Sequence, residues 1–306
     1  MVQTVIVALV SNALVAVAKS IAAAVTGSAS MLAEAAHSWA DCGNEVFLLV
    51  AERRSSKQRD SAHPLGYGRE SYVWSLFAAF GLFTAGAVVS VQHGITELIT
   101  PEPATNFVVA YAVLAIAAVL EGASFAQSIV SARQNASRIG RDTLDYALNG
   151  SNSTLRAVLA EDAAALTGLA IAFTGILLHQ LTGNPVFDAL GSLAIGILLG
   201  AVALVLINRN RRYLVGSEPR PEVRARFGAE LTAMAGVERV TYLHLEFVGP
   251  GRVYLIAAVD LVGEATENDV ARKLRDIERS LQEIDLIEVA VLTVSVDDEP
   301  TLSFPE

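Results

Sequence analysis

Gly27-Ser28-Ala29-Ser30-Met31-Leu32-Ala33-Glu34-Ala35-Ala36-His37-Ser38-Trp39-Ala40-Asp41-Cys42-Gly43-Asn44 sets two acids, a histidine and an amide into an otherwise apolar run. Glu34, His37, Asp41 and Asn44 follow one another at spacings of three, four and three, which puts all four on one face of a helix. The apolar run from Met31 to Ala51 is long enough to cross hydrocarbon, so the stripe lies at bilayer depth. A charged group there costs about 2.5 to 3.5 kcal/mol on insertion scales, and a polar stripe must face protein or water. His37 and Asp41, one turn apart, offer a nitrogen and an oxygen to one cation, a mixture suited to Zn²⁺ and compatible with other divalent transition metals.

Working outward, five further stretches reach spanning length: roughly Val2 to Thr26, Tyr72 to Ile99, Phe107 to Ala132, Thr154 to Leu178 and Phe187 to Ile207. The first has no basic n-region and exceeds the length of a signal-peptide core, so it reads as a true span. Arg53, Arg54, Lys57 and Arg59 follow the second span, Arg133, Arg138 and Arg141 the fourth, and Arg209, Arg211 and Arg212 the sixth. The intervening connections hold no Lys or Arg, and the positive-inside rule then predicts that both termini are cytoplasmic. A hydrophobic share of 53% against 18% charged residues fits a multi-pass membrane protein. The Ala-rich composition, with no targeting segment, points to a bacterial cytoplasmic membrane.

A net charge of −10 with no concentrated basic surface argues against a nucleic-acid partner. The single cysteine, Cys42, lies within a span, reads as a packing residue and identifies no redox compartment. No nucleophile with a base, phosphate loop or cofactor motif is visible, so an enzyme is not expected and no cofactor is predicted.

After Arg212 the composition turns polar, dividing the chain into a membrane domain, 1–212, and a cytoplasmic domain, 213–306, whose folded part starts near Ser217. Pro221 to Ala235 and Glu267 to Gln282 read as helices. Val237 to Val248, Arg252 to Val262 and Ile287 to Val296 read as strands. An αββαβ unit leaves sheet edges open to pairing, so this domain is expected to dimerise.

In the fifth span Glu161 and Asp162 are a second acidic pair at depth. At about 1.5 Å per residue, Asp41 sits roughly 15 Å and Asp162 roughly 12 Å from the inner ends of their spans, so antiparallel helices would present them together. Glu161 has two further readings. It can hold a coupling proton, or it can pair with a buried polar group such as Lys19, and Glu121 in the fourth span is a similar case.

Three stretches resemble the cation diffusion facilitator family of divalent-metal/proton antiporters. They are Gly27 to Asp41 as quoted, His63-Pro64-Leu65-Gly66-Tyr67-Gly68-Arg69-Glu70, and Asn184-Pro185-Val186-Phe187-Asp188. The resemblance covers nearly the whole chain. It implies a homodimer of six-helix protomers, each with a ferredoxin-like or metallochaperone-like αββαβ domain. It also implies a transport site between the second and fifth helices, built from two ligand pairs spaced four apart. His37 and Asp41 supply the first pair, but Val158 stands four before Asp162 where the family pattern has His or Asp. The run Val158 to Leu166 looks like the branch containing the ninth zinc transporter of animals. Adjacent helical residues point about 100° apart, so Glu161 and Asp162 cannot both aim squarely at one ion, and the fourth ligand stays open.

The expected function is therefore efflux of cytoplasmic metal in exchange for protons through His37, Asp41, Asp162 and Glu161. Glu34, Asn44, Asp60, His63 and Glu121 are secondary candidates for metal or proton coupling. Zn²⁺ is the expected cargo, with Mn²⁺, Fe²⁺ or Co²⁺ as alternatives. The competing expectation is a dimeric membrane scaffold or metal sensor with a degenerate site. Asp60 and His63 are spaced as in a loop zinc site of some relatives, but Tyr67 takes the third position, and Pro64, Gly66 and Gly68 favour a shaped loop. In the tail, His244 is the only histidine and reads as structural, while Asp297, Asp298 and Glu299 form a solvated acidic end.

Overall fold

A computed structural model describes residues 2–101, 104–138, 140, 142–263 and 265–304, with side chains for all of these except 2–8, 11, 138, 148 and 149. Arg141, and the side chain of Arg138, which entered the orientation argument, lie outside the described residues. The chain packs as two units. The first comprises Met1–Arg53 and Tyr72–Arg211, and the second comprises Arg54–Ser71 and Arg212–Glu306. The connection after the second helix thus belongs with the C-terminal unit, although in sequence it lies inside the membrane part.

In the first unit the helices are α1 (Val2–Thr26), α2 (Ala29–Ser55), α3 (Glu70–Gly81), α4 (Val89–Ile99), α5 (Phe107–Arg138), α6 (Thr143–Asn149), α7 (Ser153–Thr182) and α8 (Val186–Val215). Leu82–Val88 joins α3 to α4 as a π-helical segment, so the predicted third span is one continuous rod with a widened turn. Helix α6 is absent from the sequence reading. It forms because the Asp142 side chain accepts from the amides of Leu144 and Asp145 at 3.0 and 3.1 Å, an N-cap inside what looked like a polar connection.

Among the described residues, four helical stretches are long and apolar enough to cross a bilayer: Glu70–Ile99, Phe107–Ser137, Ser153–Thr182 and Val186–Val215. Among the described residues α1 offers the shorter apolar helix Asn12–Thr26. Helix α2 is 27 residues long, but its own stripe of acids dilutes its apolar character.

Small residues bring these helices together, as expected where lipid removes the hydrophobic drive and close backbone approach supplies the packing energy. Gly86 meets Leu199, Gly196 meets Val91, and Gly94 meets Ala189 and Leu193, so α4 and its π-helical lead-in run antiparallel to α8. Ser30 lies by Gly175, Glu34 by Gly168, and Asn44 by Glu161. Numbers rise along α2 as they fall along α7, which fixes that pair as antiparallel.

In the second unit, α9 (Pro221–Thr232), β1 (Val237–Gly249), β2 (Arg252–Leu261), α10 (Glu267–Gln282) and β3 (Ile287–Val294) give the order α-β-β-α-β. The sheet runs β1-β2-β3, with β1 and β2 antiparallel and β2 and β3 parallel across the α10 crossover. Phe227, Leu231, Leu245, Leu255, Ile277 and Leu281 are buried in its core. The outer edge of β1 is not wholly open. Phe247 N donates to Ser217 O at 3.0 Å and Leu302 N to Val240 O at 2.8 Å, so flanking chain covers it at both ends.

Candidate metal centre between the second and seventh helices

Helix α2 enters the bundle through a fixed cap. The Asp188 carboxylate of α8 accepts from Ser28 Oγ at 3.0 Å, Ala29 N at 2.8 Å and Ser30 N at 3.2 Å. The first amides of a helix have no intrahelical partner, and a carboxylate satisfies both them and the dipole. This orients the stripe that follows.

His37 is fully buried, and neither ring nitrogen has a hydrogen-bond partner among the described residues. Its Nδ1 stands 3.4 Å from Asp41 Oδ1, which is likewise unpartnered. Asn44, one turn further, donates its amide to Glu161 Oε2 of α7, while Asn44 Oδ1 and Glu161 Oε1 have no partner among the described residues. His37, Asp41, Asn44 and Glu161 therefore line one α2–α7 contact, with donor atoms unused on each.

Asp162 faces elsewhere. Its carboxylate accepts from Ser128 Oγ at 2.9 Å and Ser124 Oγ at 3.4 Å, both on α5. The turn of about 100° between adjacent residues accounts for the split, with Glu161 toward α2 and Asp162 toward α5. Among the described residues, no three His, Cys, Asp or Glu side chains stand close enough to hold one metal ion.

Lys19 does not pair with Glu161. It is fully buried and bridges Glu34 of α2 at 2.8 Å and Glu121 of α5 at 2.7 Å. Gly168 of α7 makes room for Glu34, since a Cβ there would collide with Glu34 Oε1. Glu45, which the sequence reading passed over, lies four residues beyond Asp41 and accepts from Asn12 Nδ2 at 2.5 Å. Its i+4 spacing from Asp41 was the available signal. Arg156, also passed over, is buried in α7 and donates to Gly150 O at 2.8 Å and Asn210 Oδ1 at 2.9 Å, which ties α7 to α8.

In the second unit Asp60 folds its own loop. Its carboxylate accepts from the amides of Ala62 and His63 at 2.9 and 2.8 Å and from Tyr67 Oη at 2.8 Å. The Tyr67 hydroxyl and these amides hold the Asp60 carboxyl below the usual carboxylate range, and the same contact raises the Tyr67 phenol. The His63 ring stacks on Tyr67 with centroids 3.9 Å apart. His244 stands on β1, its Nδ1 2.9 Å from Glu218 Oε1.

The sequence profile described as "Cation efflux transmembrane domain" matches residues 5–215. The chain is 35% identical over 288 residues to the mitochondrial proton-coupled zinc antiporter SLC30A9 of Xenopus laevis, covering 94% of this chain and 51% of that protein. It is 35% identical to the human protein of the same name over 282 residues, 92% of this chain and 50% of that one. To metal tolerance protein C4 of Arabidopsis thaliana it is 35% identical over 234 residues, 76% of this chain and 51% of that one. The chain thus spans about half the length of these relatives.

These matches overturn the expected bacterial cytoplasmic membrane. The animal relatives are named as mitochondrial, and an Ala-rich composition reports a bilayer without saying which one. With a profile match over most of its length and relatives aligned over nearly all of it, the chain belongs to the cation diffusion facilitator family.

Proposed function

We propose that this protein is a divalent-metal/proton antiporter with Zn²⁺ as its cargo, a transporter and not an enzyme. The observation that carries the reading is the His37–Asp41 pair on α2, a fully buried imidazole beside a partly buried carboxylate, with both ring nitrogens and Asp41 Oδ1 unused among the described residues of a chain of this family. Relatives named as proton-coupled zinc antiporters support the cargo and the exchanged ion.

The site is formed by His37 and Asp41 from α2 with Glu161 from α7, while Asp162, next to it on α7, is turned to the serines of α5. Metal binding requires deprotonated carboxylates and a neutral imidazole, so cargo arriving from the side of the basic connections displaces protons. Protons returning from the opposite side release it. In this reading α1 and α2 join the four apolar stretches as spans, giving six and placing both termini on one side. Residues 1–212 transport, and 213–306 dimerise and regulate. The β3 edge, which carries no further strand among the described residues, is the surface on which a second copy pairs. Mn²⁺, Fe²⁺ and Co²⁺ are alternative cargoes for an oxygen-rich site.

One observation favours a scaffold or sensor instead, namely that no three acidic or imidazole side chains converge among the described residues. Metal-stimulated proton flux in proteoliposomes separates the two readings. The wild type is expected to couple Zn²⁺ to proton movement and Asp41→Ala to abolish it. A folded wild type giving no flux with any of the four metals sinks the transport reading.

A further inference from the structure

Resting on the antiport reading, we propose that Asn44 is a donor to the transported cation, its amide oxygen taking the place that Val158 leaves unfilled on α7. Val158 has no lone pair to offer, so a fourth donor must come from another position. Asn44 is 2% exposed and Glu161 8%, so neither polar group is satisfied by bulk water. Asn44 Nδ2 donates to Glu161 Oε2, which leaves the amide carbonyl oxygen outside this contact. That oxygen has no partner among the described residues, and the same holds for Glu161 Oε1, Asp41 Oδ1 and both nitrogens of His37.

Buried polar atoms are ordinarily paired, and isolated exceptions call for a specific cause. Such atoms on His37, Asp41, Asn44 and Glu161 fall along one helix contact, while Glu34, Glu45 and Glu121 also leave one oxygen over beside a bonded one. Asp162 does not take the place of the missing ligand in this arrangement, because its oxygens are engaged by Ser124 and Ser128 of α5. A cation held by His37, Asp41, Asn44 and Glu161 meets one nitrogen and three oxygens. Two carboxylates balance its charge, and the neutral amide adds an oxygen without adding a third negative charge. His37, Asp41 and Glu161 do not stand close enough to hold one ion in this structure, so a cation would have to draw these three and the Asn44 oxygen together. One nitrogen in place of two discriminates less sharply between Zn²⁺ and the harder Mn²⁺.

The test is calorimetric titration of the purified full chain in detergent with Zn²⁺ and with Mn²⁺, alongside proteoliposome flux. Asn44→Leu is expected to weaken Zn²⁺ binding by about tenfold or more, the scale on which a lost contact at a metal site is felt. Asn44→His, which supplies a nitrogen in the same place, is expected to raise the ratio of Zn²⁺ to Mn²⁺ affinity above that of the wild type. If Asn44→Leu does not fold, Asn44→His alone decides. A wild type that binds and transports Zn²⁺ while Asn44→Leu binds it equally well, or while Asn44→His leaves the metal ratio unchanged, overturns the role of Asn44 and leaves the antiporter standing. A wild type that neither binds nor transports any of the metals overturns both.

Discussion

Ser30 and Asp188 are joined twice: Ser30 N donates to the Asp188 carboxylate at 3.2 Å, and Ser30 Oγ donates to the Asp188 backbone carbonyl at 2.8 Å. The first contact caps α2, and the second holds that cap to the backbone of α8. A Cβ at Gly175 or at Gly191 would crowd the Ser30 hydroxyl, so the approach depends on their lacking side chains. The helix bearing His37 and Asp41 is thereby pinned at one end.

Asp188→Ala is expected to destabilise the protein by about 2 to 4 kcal/mol, from a lost cap together with buried donors left unmade. Asp188→Asn, which keeps one acceptor, should cost less. Thermal unfolding in detergent checks the order.

Lys19→Met strands Glu34 and Glu121 without their cation, and breaking a buried ion pair from one side typically costs about 3 to 5 kcal/mol. The double change Lys19→Met with Glu34→Gln is expected to recover part of that loss. Melting temperatures of the wild type, the two single variants and the double variant together measure the coupling.

Gly168→Ala is expected to disturb the same network from α7, because its Cβ would collide with Glu34 Oε1. Gly43→Ala on α2 meets nothing within 4 Å and should be neutral or slightly stabilising. A Gly168→Ala protein that melts with the wild type counts against this packing.

Gly68 faces the hairpin of the second unit so closely that a Cβ would lie 2.5 Å from Val248 O and 2.7 Å from Gly249 Cα. Both obstacles are backbone and cannot swing aside. Gly68→Ala is expected to lift the 54–71 connection from the sheet, seen as faster amide exchange at Gly66 to Glu70 and at Val248 to Gly251.

The Asp60–Tyr67 contact gives a pH dependence whose direction follows from the shifts. The Asp60 carboxyl is depressed in the folded loop, so its contribution is fully present above the unfolded value near 3.8 and is lost as pH falls through the lower folded value. Tyr67 is raised, so its part persists below the ordinary value of 10.0 and is lost as pH rises through the folded one. Amide exchange at Ala62 and His63 across pH is expected to show protection between these limits, narrowed on the acid side by Tyr67→Phe.

Much of the architecture was legible because it is written locally. The apolar lengths placed the helices, and Val- and Ile-rich runs placed β1, β2 and β3 to within a few residues. The three-and-four spacing put His37, Asp41 and Asn44 on one face before any neighbour was known. The π-helical turn at Leu82–Val88 and helix α6 escaped the sequence reading, since one is a slip in hydrogen-bond register and the other depends on the Asp142 cap.

Which neighbour each polar side chain meets was decided only by tertiary structure. Lys19 goes to Glu34 and Glu121, Asn44 to Glu161, Asp162 to the α5 serines, and the 54–71 connection to the second unit. Helical periodicity sets the angle between residues on one helix, but not the rotation of that helix against its neighbours. That rotation comes from packing between residues far apart in the chain, such as Gly168 with Glu34 and Ser30 with Asp188.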